Sequence, residues 1–435
     1  MGVEQAGQVD TAAPGGWASV RLPPLWLLAL IAAILLLLAA PKDTGDVFEY
    51  HCYALDFWRG AQVVSKTFST QCVTKVPDLA QAPFQELPRE YGPLALVIFS
   101  LPLIFPTGWY NAIFYLLMCA VIVAIAWILD RYGPRGAGHI WLLYVLMGAM
   151  LEAAGRFDAL VAAALLVALL ASLRGRPLLA YGALAVGALL KFFPLALLPL
   201  LLIQSWRRRN EEPFWRGPAL FGGIVAVGEG IALAISPTRA LEPLSFMGAR
   251  CVEVESFPAT LGFIWDGLTG GTIKTNLVPI YSSVCQFDPS LSVTPTIMEL
   301  LAGLGLLVVF WLVWRERLTL TQGFIFAIGL LILGTKVFSV QYLLWLSPLI
   351  AYEYGMDAMA LAGWSVTLLA TTFYYPIANN PWIEEHFGFW LVYHIPLLVA
   401  IRNTLFAIVG ALAFRDTLRA PDTAKVGANA GVAGE

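Results

Sequence analysis

Charge is scarce in this chain. Only 13% of its 435 residues are Asp, Glu, Lys or Arg, about half the roughly 25% of ordinary soluble domains. Histidine contributes 4 residues and cysteine 5. There is no Walker-type phosphate loop, no GxGxxG after a strand, and no CxxC or HExxH spacing. P-loop NTPases, Rossmann-type dinucleotide enzymes and the common zinc sites are thereby excluded. A formal net charge of −3 offers nothing to nucleic acid. What remains is apolar: 59% hydrophobic residues and a mean hydropathy of +0.74 predict an all-α polytopic membrane protein.

Twelve apolar stretches follow one another, near 22–40, 110–130, 139–153, 157–173, 178–190, 192–205, 218–236, 295–314, 321–335, 338–354, 357–375 and 389–413. They predict about 12 transmembrane helices in one membrane domain over 22–414. The first is read as an uncleaved anchor rather than a signal peptide, because a single basic residue, Arg21, precedes it. Residues 1–21 and 415–435 are read as disordered cytoplasmic tails. Ten arginines (131, 135, 174, 176, 207, 208, 209, 216, 315 and 317) fall on alternate short turns. The positive-inside rule puts those turns in the cytoplasm. Two long loops, about 41–109 and 237–294, then face out. Pro93–Phe105 is read as a juxtamembrane helix on the outer surface.

Cys52, Cys72, Cys251 and Cys285 lie in the two outer loops, on the side where disulfides form. Cys52–Cys72 and Cys251–Cys285 are one pairing, cross-loop bridges the other. Val47, His51, Leu55 and Trp58 recur at helical spacing, so the first loop opens with an amphipathic helix. Asp46 stands at its start, where the chain leaves the bilayer. A carboxylate there serves either catalysis on a membrane-borne substrate or, with Glu49 three residues on, a capping box. Asp158 sits at a short outer turn and is a site residue or another helix cap. Lys191 and Lys336 stand singly at outer ends of spans. Each is a snorkelling lysine taken alone; two on the acids' face suggest an anion. Arg402 lies deep in the last span, where an unpaired charge is costly.

The stretches Asp46-x-x-x-Tyr50, Glu90-Tyr91-Gly92-Pro93-Leu94, Gly155-Arg156-Phe157-Asp158, Leu190-Lys191-Phe192-Phe193-Pro194, Arg250 to Ser256 and Lys336 to Trp345 come in a familiar order. They resemble the GT-C superfamily, and within it glycosyltransferase family 87, the polyprenyl-phosphate-mannose-dependent mannosyltransferase-like proteins. The resemblance covers roughly residues 46–402. At one position this chain departs from it, carrying Gly92 where the family usually has a second proline.

The resemblance implies a GT-C-type bundle and a polyprenyl-phosphate sugar donor used at the outer leaflet of a plasma membrane, in a bacterium. A hexose, mannose first, would pass to a lipid or cell-envelope glycan acceptor. Asp46 would be the base that takes the acceptor proton. Arg250 and Lys191, with Lys336, would hold the departing phosphate. Glu49, Tyr50, Asp158, Glu255 and Gln341 would bind sugar or acceptor hydroxyls. One base and no nucleophile predicts inversion at the anomeric carbon. Nothing in the sequence demands a metal, and a divalent cation stays compatible with it. The rival from another class is a lipid or solute transporter or flippase, which short Pro-broken spans with charges also describe.

Overall fold

The computed structural model describes residues 21–419, apart from 41–44, 69–71, 73–75, 77–81, 151, 211–212, 272–274, 279–282, 287–290, 292 and 379–380. The expected tails lie outside the described residues, except that the last helix continues to Arg419. The helices are α1 Leu25–Ala39, α2 Asp46–Arg59, α3 Ala61–Phe68, α4 Pro93–Ser100, α5 Tyr110–Tyr132, α6 Ala137–Gly148, α7 Asp158–Leu173, α8 Pro177–Leu190 and α9 Leu198–Arg207. They continue with α10 Arg216–Ile235, α11 Pro237–Ala249, α12 Phe257–Thr269, α13 Thr294–Trp314, α14 Leu320–Gly334, α15 Leu343–Tyr354, α16 Ala358–Ala378 and α17 Pro381–Arg419. Between α12 and α13 a hairpin pairs β1 (Thr275–Val278) with β2 (Ser283–Gln286), antiparallel.

Each of the twelve apolar stretches falls on a helical element. Among the described residues, length and hydropathy together single out four spans, Thr107–Tyr132, Arg216–Ile235, Thr294–Trp314 and Pro396–Arg419, fewer than the twelve expected. Most of the others are shorter. At 1.5 Å per residue, the 16 residues of α7 reach about 24 Å, short of a hydrocarbon core of about 30 Å. Such a helix survives in a membrane only if its ends are buried in protein, and α7 is largely enclosed by the bundle. Its alanines 159, 162, 164, 168 and 171 are all buried. Small side chains let helix axes approach closely, so α5, α8, α14 and α15 all pack around it. By contrast, α13 turns Leu300, Leu304, Leu307 and Trp311 outward, the pattern of a lipid-facing surface.

Two groups of charged residues lie at opposite ends of this bundle. At one end the arginine-rich turns meet. Arg174 Nη2 donates to the Tyr132 carbonyl at 3.1 Å, and Arg207 Nη2 to that of Trp314 at 2.9 Å. At the other end lie the first turns of α2 and α7, the end of α8, and the loops before α4, α12 and α15. Within the first long loop α2, α3 and α4 are helical, and α4 packs against α2 and α8. Disulfides join Cys52 to Cys72 and Cys251 to Cys285. The second anchors the hairpin to the loop before α12, where Gln286 N also donates to Val252 O at 2.9 Å.

Candidate functional site

Six separate pieces of chain converge at the second end. Asp46 and Asp158 open their helices in the same way, each as the first residue of a helix whose preceding residue has no side-chain cap. Before Asp46 stands Gly45, at φ +127° and ψ −169°, a conformation that is essentially glycine's alone. Neither acid caps its helix, so the capping-box alternative for Asp46 is not what forms. A carboxylate in the first turn is still favoured by the helix dipole, and both side chains are free to turn towards cations.

Asp46 pairs through Oδ2 with Arg156 Nη1, and Tyr50 Oη donates to the same oxygen at 3.4 Å. Oδ1 has no contact among the described residues. Arg156 is held from behind by Glu152, Nε to Oε2 2.8 Å. Next to this triad, Asp158 is almost wholly buried, and its Oδ1 accepts from Lys191 Nζ and from Trp345 Nε1, both at 2.8 Å. Four rings surround the Lys191 ammonium, with centroids at 5.6 Å (Tyr91), 5.2 Å (Phe157), 5.5 Å (Tyr342) and 5.3 Å (Trp345). Their π faces offset part of what burial costs the cation. Burial lowers the Lys191 pKa from the ordinary lysine value, and Asp158 opposes that shift.

The third unit is Arg250, which bonds Glu253 (Nη2 to Oε1 2.6 Å) and Glu90 (Nη1 to Oε2 3.5 Å). Burial holds the Glu90 carboxyl above the usual carboxylate range; Arg250 pulls it down and Glu253 pushes it up. The three units feel one another: Lys191 senses Arg156 and Glu90, and Tyr342 senses Arg250, Glu253, Asp158 and Glu90. They form one cluster. Its wall beside Asp46 is aromatic, with Tyr50 stacked on Phe99 at 4.1 Å.

Of the residues singled out from sequence, Asp46, Tyr50, Asp158, Lys191 and Arg250 stand in this cluster, and Glu49 is buried next to Tyr50 on α2. Gln341 is buried in the 3₁₀ turn before α15. Lys336 stands apart. Its ammonium donates to Gly248 O at 3.1 Å, and only its backbone carbonyl reaches in, accepting from Glu253 N at 2.9 Å. Glu255 lies on the far side of the loop. There Arg402 Nη2 donates to its carbonyl at 2.5 Å, and Arg402 Nη1 lies 3.9 Å from its carboxylate. Arg402, fully buried, is thus paired with protein, and Asn403 Nδ2 adds bonds to Glu255 O (3.0 Å) and Ser256 O (3.1 Å).

Sequence reasoning missed Glu90, Glu152, Arg156, Glu253 and Trp345 as site members. All but Glu152 lie inside the stretches that carry the resemblance, so position in those stretches was the signal. Glu152 had only its offset of four residues from Arg156. The departure at Gly92 has a local cause. Gly92 N donates to Leu190 O at 3.1 Å, and a Cβ at this position would lie 2.2 Å from the Leu189 carbonyl oxygen. Proline could supply neither the N–H nor the room. Glycine here is what lets Glu90 and Tyr91 press against the end of α8 beside Lys191.

Among the described residues no group of three or more His, Cys, Asp or Glu could hold a metal ion. The cluster's means are charge and proton transfer: a fixed carboxylate with one oxygen unpaired among the described residues, and three partly buried cations within reach of an anion. The model of glycosyltransferase family 87 matches residues 90–339, which takes in Glu90, Arg156, Asp158, Lys191, Arg250 and Glu253 but not Asp46. No curated protein and no solved structure matches the chain.

Proposed function

This chain belongs to glycosyltransferase family 87, and we propose that it moves a hexose, mannose first, from a polyprenyl-phosphate donor to a lipid or cell-envelope glycan. The reaction would take place on the extracytoplasmic face of a plasma membrane, in a bundle of about twelve spans, with inversion at the anomeric carbon. The carrying observation is that, among the described residues, Asp46 is paired through Oδ2 alone. A carboxylate held by one oxygen is aimed, and its Oδ1 accepts a proton.

In this reading the acceptor hydroxyl oxygen attacks the anomeric carbon and gives its proton to Asp46 Oδ1. The bond from that carbon to the phosphate oxygen breaks, and the lipid phosphate leaves as an anion, which needs no general acid. Lys191 and Arg250 stabilise the departing charge, the use to which buried cations are best suited. Each first exchanges a carboxylate for the phosphate: Lys191 leaves Asp158, and Arg250 leaves Glu90 or Glu253. The freed acids then face the substrate's hydroxyls. Arg156 is a positioning residue, holding Asp46. Lys336 supports the loop rather than the phosphate. Segregation of ten arginines to the opposite end supports the orientation.

Purified protein in liposomes, given polyprenyl-phosphate-mannose and extracted envelope lipids, should consume donor and yield a glycosylated lipid or glycan. Asp46→Asn should abolish turnover, a loss of about 10²-fold or more for a general base, while donor binding persists. Donor and other polyprenyl-phosphate sugars all remaining inert with wild type would overturn the reading.

A further inference from the structure

A second polar cavity lies at the other end of the same two helices. It encloses about 80 Å³ and is lined by Ser172, Gly175, Tyr181, Ser205, Arg208 and Arg216, among others. Ser172 is near the end of α7 and Tyr181 in the first turns of α8, so α7 and α8 run from the acid–cation cluster to this cavity. Two helices begin at it, α8 at Pro177 and α10 at Arg216. Their starts are close because Gly217 lies against the Tyr181 ring, where a Cβ would come within 2.3 Å. Helix N-termini present unsatisfied N–H groups and partial positive charge.

The side chains add to that potential. The Arg208 guanidinium lies over Gly175, which has φ +65°, and a Cβ there would stand 2.9 Å from Nη1. Tyr181 Oη and Ser205 Oγ share a hydrogen bond of 3.1 Å at the wall. No described carboxylate lines the cavity; Glu211 and Glu212, between the two arginines in sequence, lie outside the described residues. Among the described residues neither Arg208 nor Arg216 has a side-chain ion pair or hydrogen bond. Arginines in the neighbouring turns are satisfied: Arg174 by Tyr132 O and Arg207 by Trp314 O. Exposed Trp206, Trp215 and Trp314 ring this end, the side chains that settle at the headgroup level of a bilayer.

We propose that this cavity binds a phosphoryl group, as an anionic lipid headgroup presents one, at the end of the bundle opposite the transfer cluster. Two guanidiniums, two helix N-termini and hydroxyls around a small space are the chemistry of phosphate recognition. The volume admits the phosphoryl group and leaves the rest of a lipid outside, against the tryptophans. Occupancy would tie the α7–α8 turn to the α9–α10 turn, clamping the ends of the two helices that carry Asp158 and Lys191 at their other ends.

The test is thermal unfolding of delipidated full-length protein in neutral detergent. The titrants are inorganic phosphate, dihexanoyl phosphatidylglycerol and dihexanoyl phosphatidylcholine. A saturable rise in Tm is expected with the anionic lipid. Arg208→Gln and Arg216→Gln should each raise the apparent dissociation constant about tenfold, the worth of one charge-assisted hydrogen bond. Arg131→Gln, at the same end but outside the cavity, should leave it unchanged. Arg208→Lys keeps the charge but loses the fork, and provides an intermediate value if Arg208→Gln folds poorly. Saturation by inorganic phosphate as well assigns the site to the phosphoryl group itself, and a response to the lipid alone assigns it to the headgroup. No saturable response to either anion overturns the proposal, as does an equal response in wild type and both Gln variants, or an equal response to phosphatidylcholine.

Discussion

Replacing Asp158 by Asn should expose what holds the cluster together. The substitution keeps shape and one acceptor but removes the charge that faces Lys191 at 2.8 Å. Breaking a buried pair from one side costs about 3–5 kcal/mol, because the other charge is left uncompensated. Here the cost has a ceiling, since Lys191 can shed its proton instead. From an ordinary lysine pKa of about 10.4, deprotonation at pH 7 costs about 4.6 kcal/mol, and at pH 9 about 2 kcal/mol. An unfolding entropy of roughly 2.1 cal/mol/K per residue makes 4 kcal/mol worth about 4 °C in Tm for a chain of this length. Asp158→Asn should therefore lose about 4 °C at pH 7 and about half of that at pH 9. Adding Lys191→Met should restore most of the loss at pH 7 without restoring transfer activity. Tryptophan fluorescence reads the transition, and Trp345, which also donates to Asp158, should report the rearranged site. Equal losses at the two pH values, or a double variant no more stable than the single, would refute the argument.

Two further groups give stability opposite slopes with pH. Burial raises the Glu86 carboxyl to about 7 despite Arg239 at 3.4 Å. Its contribution is complete below an unfolded pKa near 4.5 and is lost as pH rises through about 7, a change of up to about 3 kcal/mol. Glu86→Gln should flatten that part of a Tm–pH curve between pH 4.5 and 8. His51, stacked on Tyr110 at 3.8 Å, is lowered to about 4 by burial; its contribution is present above 6.5 and lost as pH falls towards 4. His51→Phe should remove that acid-side loss, and a curve unmoved by either substitution would contradict the burial assigned to it. Gly92→Ala should lower Tm by several degrees, and Gly92→Pro by more, since only the second also removes the N–H bonded to Leu190. An Ala variant as stable as wild type would mean that the 89–92 segment relaxes away from α8.

Much of the architecture was legible because hydrophobic runs write it directly. All twelve apolar stretches became helical elements, and the arginine turns did gather at one end. The number of spans was not legible in the same way. A run such as 157–173 records burial, and lipid and protein neighbours bury a side chain alike; α7, hydrophobic all round, is enclosed by other helices. The site was legible in part. Asp46, Asp158, Lys191 and Arg250 were visible as charges where the sequence is otherwise apolar. Their partners were not, since Arg156 meets Asp46 from 110 residues away, and Asp158 finds Trp345 across 187. Sequence spacing favours near neighbours, which is why a capping box suggested itself for Asp46 and Glu49. Lys336 and Arg402 show the converse: a lone cation in an apolar stretch is conspicuous whether it serves a ligand or, as at Arg402, ties a loop to a helix.

The balance of charge makes a last demand on the mechanism. Among the described residues, Arg156, Lys191 and Arg250 face Asp46, Glu49, Glu90, Glu152, Asp158 and Glu253, three cations against six acids. A donor phosphate entering this cluster adds to the excess, so its arrival must be matched by a proton or a cation. Glu90 is placed to take the proton. Burial already favours its neutral form, and a phosphate that captures Arg250 removes the charge that opposes protonation. Donor binding should then take up a proton, and donor affinity should fall as pH rises. Glu90→Gln, neutral at every pH, should bind donor with an affinity that no longer varies with pH in that range. A donor affinity that stays level in wild type, or one that tracks added divalent cation instead of pH, would show that Glu90 is not where the charge is balanced.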